Sequence, residues 1–112
     1  AASDYYLMPS RFEPCGLTQM FALAYGTVPI VRVTGGLADT VTQYDPITFL
    51  GTGFRFVGYN ADALRTAMYD ALRLYKRTPH WDAIRSNAMN QDNSITTCAR
   101  RYVEIFGWAC EK

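Results

Sequence analysis

A chain of 112 residues that is 49% hydrophobic and 19% charged has the material for one small folded domain and too little charge for disorder. Its formal net charge of +1 gives no electrostatic basis for nucleic acid or an anionic membrane as a partner. No apolar run approaches the length needed to span a bilayer, and the first residues do not read as a signal peptide.

Ala1 to Asp4 reads as the tail of an upstream segment, because an apolar run follows almost at once. That run, Tyr5-Tyr6-Leu7-Met8, predicts a buried strand stopping at Pro9. Leu17–Tyr25 predicts a helix, with Phe21, Leu23 and Ala24 at spacings that suit a covered face and Gly26 suited to close it. Val28–Val33 predicts a second strand, with Pro29 at its start where a missing N–H does least harm. Strand, helix and strand joined by a short return imply a parallel pair with a right-handed crossover. The first strand empties into a loop holding Glu13 and Gly16, and the second into Thr34-Gly35-Gly36-Leu37, with a helical turn over Leu37–Val41. In a parallel sheet both loops leave from one edge, so they are expected to be neighbours in space.

Further along, Tyr44-Asp45-Pro46 and Gly51-Thr52-Gly53 mark loops, and Phe54-Arg55-Phe56-Val57 predicts a third strand. Asn60 is placed to cap a helix whose apolar positions are Leu64, Met68, Ala71, Leu72 and Tyr75, and which Pro79 breaks. Trp81 to Met89 predicts a shorter helix, and Ser94 caps a last one with Tyr102, Ile105 and Phe106 on one face. Three parallel strands with flanking helices make an α/β unit amounting to half of a doubly wound sheet. With no partner on its outer side, the first strand would expose an edge, and self-association through that edge is expected.

Ligands of open α/β sheets bind in the crevice beyond the carboxyl ends of the strands. Free N–H groups beside Gly16 suit phosphate oxygens, whereas the Glu13 carboxylate suits sugar hydroxyls as an acceptor. Together they fit a nucleotide sugar. Several residues carry blander readings as well. Glu13 could cap the helix that follows, and Cys15 reads best as a small buried thiol. Asp39 and Thr40 sit in a first helical turn, where the dipole favours Asp. Arg11 reads as a structural partner for nearby carboxylates, the role of Arg32 is open, and His80 reads as a solvated loop residue. No His, Cys and Asp cluster has metal-ligand spacing. On one helix Cys98 and Cys110 lie roughly 18 Å apart, beyond disulfide reach, so a reduced, cytoplasmic setting is expected.

Ser-Arg-Phe-Glu-Pro-Cys-Gly-Leu-Thr-Gln over 10–19, Tyr-Gly-Thr-Val-Pro-Ile-Val-Arg over 25–32 and Thr-Gly-Gly-Leu-Ala-Asp-Thr-Val over 34–41 closely resemble bacterial glycogen synthases and plant starch synthases. These are retaining glucosyltransferases of the GT-B fold. The match is dense from Asp4 to Val41 and looser through Asn93. It implies that residues 1–112 are part of the C-terminal Rossmann-like domain, without that domain's first half or the N-terminal domain. It also implies transfer of glucose from ADP-glucose, or UDP-glucose, to the non-reducing end of an α-1,4-glucan, with no metal or cofactor. The location it implies is the cytoplasm, or the plastid in a plant.

In that resemblance Glu13 contacts the donor sugar and stabilises positive charge at the anomeric carbon. Cys15, Gly16, Leu17 and Thr18 bind the donor mainly through backbone N–H groups, and Thr34, Gly35, Gly36 and Leu37 form a wall of the pocket. Many related enzymes carry a second glutamate where Phe21 stands here, a departure shared by the glycogen and starch synthases. A second departure is Asn93-Ser94-Ile95, where the family usually has Phe-Ser-Trp before its crossing helix. The alternative reading is a non-catalytic nucleotide-sugar-binding or assembly module. Half of a dinucleotide-dependent oxidoreductase is disfavoured, because the first strand lacks the glycine fingerprint.

Overall fold

In the computed structural model, residues 2–111 are described, and Ala1 of the expected upstream tail lies outside them. The elements run β1 (Tyr5–Met8), α1 (Thr18–Ala24), β2 (Val28–Arg32), α2 (Gly36–Thr40), β3 (Phe54–Phe56), α3 (Ala61–Tyr75), α4 (Thr78–Asn90) and α5 (Ile95–Cys110). The three strands form one parallel sheet in the order β1-β2-β3, with Tyr5 opposite Val28 and Ile30 opposite Phe54. This is the expected α/β architecture.

Val28 to Val31 of β2 is an unbroken apolar run because both faces of the strand are covered, with Arg32 at its end. Val28 and Ile30 face a core with Tyr44, Phe54 and Phe56, closed by Ala67, Ala71 and Leu74 of α3 and by Trp81 and Ile84 of α4. Val31 turns the other way and joins Met8, Leu37 and Val41 beneath α2. Tyr5 locks β1 to the first core: its hydroxyl donates to the Ala71 carbonyl at 2.7 Å, and its ring lies 5.1 Å from that of Trp81. Burial, with Asp4 and Tyr75 adding to it, pushes this hydroxyl well above the ordinary tyrosine range.

Several expectations need correction. β1 has the open outer edge expected of it, but its Tyr6 and Leu7 side chains are exposed rather than buried, since only its inner side meets β2. The buried stripe of α3 is Ala67, Ala71 and Leu74; Leu72 turns outward, Tyr75 is partly exposed with its ring edge-on to Trp81 at 4.9 Å, and the small alanines let the helix approach the sheet. Pro79 does not break α3. It lies in the first turn of α4, where its missing N–H has no partner to lose. His80 is accordingly in a helix, half-buried, stacked on Phe49 at 4.5 Å and 3.3 Å from the Tyr44 hydroxyl through Nδ1.

Both expected caps are present: Asn60 accepts from the Ala63 N–H at 2.9 Å, and Ser94 from the Thr97 N–H at 3.3 Å. Asp92 braces the second cap by accepting from the Thr97 hydroxyl and the Ser94 N–H, and these bonds, Thr97 foremost, hold its carboxyl down to about 2. Even so, α5 buries none of its residues, and it packs on no other element among those described. No helix among the described residues is long and apolar enough to cross a membrane.

Candidate functional site

The loops after β1 and β2 emerge side by side at the carboxyl edge of the sheet, and they touch main chain to main chain. The Gly36 N–H points at the Glu13 and Pro14 carbonyls, 3.1 Å from each. A side chain at Gly35 would overlap the Glu13 carbonyl, and one at Gly36 would overlap the Cys15 carbonyl. Gly35 also holds φ at +47°, which few other residues adopt. Glycine is required at this pair for two separate reasons, the approach of the neighbouring strand's loop and the turn itself.

On this frame Glu13 is half-buried, and its Oε2 lies 3.4 Å from the Ser10 hydroxyl. The one ion pair among the described residues is Arg65 with Asp62, so no side-chain cation neutralises Glu13 there. Glu13 is not the cap of α1: Leu17 holds that position, and no side chain bonds to the free N–H groups. Cys15 is exposed rather than the small buried thiol expected, because the loop turns it away from the core. Gly16 is buried with φ at +63°, and Leu17 and Thr18 are exposed, the Thr18 hydroxyl 3.8 Å from the Met8 sulfur. Thr34 is half-buried, whereas Leu37 is fully buried, so its side chain belongs to the core. The structure thus brings together all nine expected site residues, with Leu37 able to face the crevice only through its backbone.

Two residues that sequence left unassigned prove to organise this edge. Arg32, at the end of β2, donates to the Arg11 carbonyl at 2.8 Å and to the Val57 carbonyl at 3.2 Å, and its guanidinium lies over the Tyr59 ring at 5.3 Å. It ties the start of the Glu13 loop to the segment after β3. Arg11 therefore enters through its carbonyl, and its guanidinium makes none of the expected carboxylate pairs. Gln19, the second of these residues, is completely buried and donates to the Gly16 carbonyl of the first loop and to Thr40 Oγ1 at the end of α2. Spacing alone gives no warning of it, since a glutamine in a helix's first turn is ordinarily solvated.

The sequence pattern of the family described as "Glycosyl transferases group 1" matches residues 1–91. The chain belongs to that family. A glycogen synthase of Kosmotoga olearia is 50% identical over 106 residues, covering 95% of this chain and 22% of the relative. One from Thermotoga petrophila is 51% identical over 113 residues, covering 100% of this chain and 23% of the relative. A solved structure, the catalytic domain of starch synthase IV from Arabidopsis thaliana bound to ADP and acarbose, superposes with a TM-score of 0.81 at 35% identity. It covers 99% of this chain and 23% of that one. The chain thus spans under a quarter of the length of these glycosyltransferases, and its α/β sheet is that of a segment of a GT-B catalytic domain.

Proposed function

We propose that this chain is the donor-site segment of a glycogen or starch synthase, which moves glucose from ADP-glucose to the non-reducing end of an α-1,4-glucan with retention. The observation that carries this reading is the backbone contact between the Glu13–Cys15 turn and Gly35–Gly36, which sets the two loops side by side at the sheet edge. Support comes also from the glycogen synthases that match throughout, and from the starch synthase that holds ADP and acarbose.

Glu13 has free acceptor capacity, because the Ser10 hydroxyl takes one lone pair at most. In this reading it accepts from glucose hydroxyls and stabilises the positive charge that develops at the anomeric carbon. Backbone N–H groups of Cys15, Gly16, Leu17 and Thr18 orient the sugar and the diphosphate, and Thr34, Gly35, Gly36 and Leu37 bound the pocket. Most of the catalytic effect is then positioning and charge stabilisation rather than covalent attack. The cations that hold the diphosphate come from other parts of a longer protein, as does the strand that pairs with the outer edge of β1. In isolation that edge pairs with a second copy of the chain. The free thiols at Cys15, Cys98 and Cys110 suit a cytoplasmic setting.

The test is transfer from ADP-glucose to a glucan primer by the full-length protein, with the anomeric configuration of the product read by NMR. The expected product is α-linked. Glu13→Gln should lower kcat by about a hundredfold while changing the donor KM far less. A variant within about twofold of wild type would remove Glu13 from the mechanism.

A further inference from the structure

Gln19 is a fully buried amide whose two N–H bonds are both used. Its Nε2 donates to the Gly16 carbonyl at 2.7 Å and to Thr40 Oγ1 at 2.9 Å. Thr40 Oγ1 passes the connection on by donating to the Gly36 carbonyl at 2.7 Å. Two side chains therefore join the carbonyls of the two loop glycines. The direction is fixed by chemistry, since carbonyls only accept: amide to hydroxyl, hydroxyl to carbonyl.

The amide's other atom sharpens the point. Oε1 is shut away from water and has no hydrogen-bond partner. Turning the amide over would set Oε1 against the Gly16 carbonyl, so the unpaired acceptor is inseparable from the two donor bonds. A leucine or methionine would fill the same space with no unpaired acceptor. What they would lack is the connection between the loops. The fit is close, because a side chain at Gly16 would come within 2.6 Å of Oε1.

We propose that Gln19 is a positioning residue which, through Thr40, sets the separation of the Gly16 and Gly36 turns and so the width of the donor seat. The inference rests on the donor-site reading above. Gln19 is buried and touches no ligand itself, so it acts only through the main chain of the two loops. Thr40, on this account, is the relay rather than merely a residue of a first helical turn.

The test compares Gln19→Met, which keeps the volume and removes both donors, with Thr40→Val and Thr40→Ser in the full-length protein. Gln19→Met and Thr40→Val should each raise the KM for ADP-glucose by about tenfold, with the KM for glucan unchanged and Thr40→Ser near wild type. A merely structural role would lower the amount of folded enzyme without moving the donor KM. Hydrogen exchange without ligand should quicken in 34–40 and leave the Ile84 region unaffected. A donor KM within about twofold of wild type in both variants, or unchanged exchange, would overturn the proposal. Where Gln19→Met fails to fold, Thr40→Val against Thr40→Ser decides by itself. A wild-type protein that does not use ADP-glucose would refute the donor-site reading, and the exchange comparison would still judge the clamp.

Discussion

The carboxyl edge of the sheet and helix α5 are both built from plain local signals, yet the rest of the chain holds them very differently. At the sheet edge, two glycine turns are held together by backbone contact and the Gln19–Thr40 chain, and Arg32 ties the Glu13 loop to the segment after β3. α5 has a satisfied cap, a braced first turn and an apolar face of Tyr102, Ile105 and Phe106, but it buries nothing. Capping and periodicity make a helix, while only long-range partners fix it in place. The difference separates what a segment can do locally from what the fold does with it.

Glycine substitutions should break that contrast most sharply. Gly36→Ala drives a methyl into the Cys15 carbonyl, so one loop must move, and we expect a loss on the order of 3 kcal/mol in thermal or denaturant unfolding. Gly107 in α5 has nothing within 4 Å of the same position, and Gly107→Ala should instead strengthen the helix by about 1 kcal/mol in circular dichroism melts. Equal effects at the two sites would contradict the comparison.

Truncations come next in size. Ile84→Ala empties a fully buried position and should cost about 2–4 kcal/mol, whereas Phe106→Ala on α5 should stay within about 0.5 kcal/mol. A large loss at Phe106 in the full-length protein would mean that α5 is covered there by another part of the chain.

The smallest expected effects depend on pH. Because the folded state holds the Tyr5 proton more tightly than the unfolded state, stability is level below about pH 10 and falls as pH rises beyond it. Tyr5→Phe should lose about 1 kcal/mol at neutral pH with its bond to Ala71, and should flatten the alkaline fall. At the other end of the chain Asp92 has a depressed value, so its brace on α5 persists at neutral pH. It is lost only as pH falls from about 4 through about 2, and the change should be seen in α5 helicity rather than in the core.

How far the sequence foretold this structure differs by the kind of signal. The parallel strands were readable from apolar runs and short returns, and the meeting of the two loops follows from that topology once the glycines are noticed. The burial expected of Tyr6 and Leu7 in β1 fails because an apolar run reports a preference for burial, not whether other elements are present to cover its side chains. The α3 face departs from expectation at Leu72, which fits a helical spacing as well as Ala67 and Leu74 do. The sequence places His80 in a loop only if Pro79 is a stop, although proline is equally at home in a first turn. Gln19 and Arg32 were out of reach, since nothing local shows that a polar side chain will be folded inward to bridge two loops.

The most direct measurement is hydrogen exchange of the full-length protein with and without saturating ADP-glucose. The account predicts joint protection of 13–18 and 34–37, with α5 unchanged or separately affected. Protection of one loop alone, or of neither while the sugar is bound elsewhere, would contradict it.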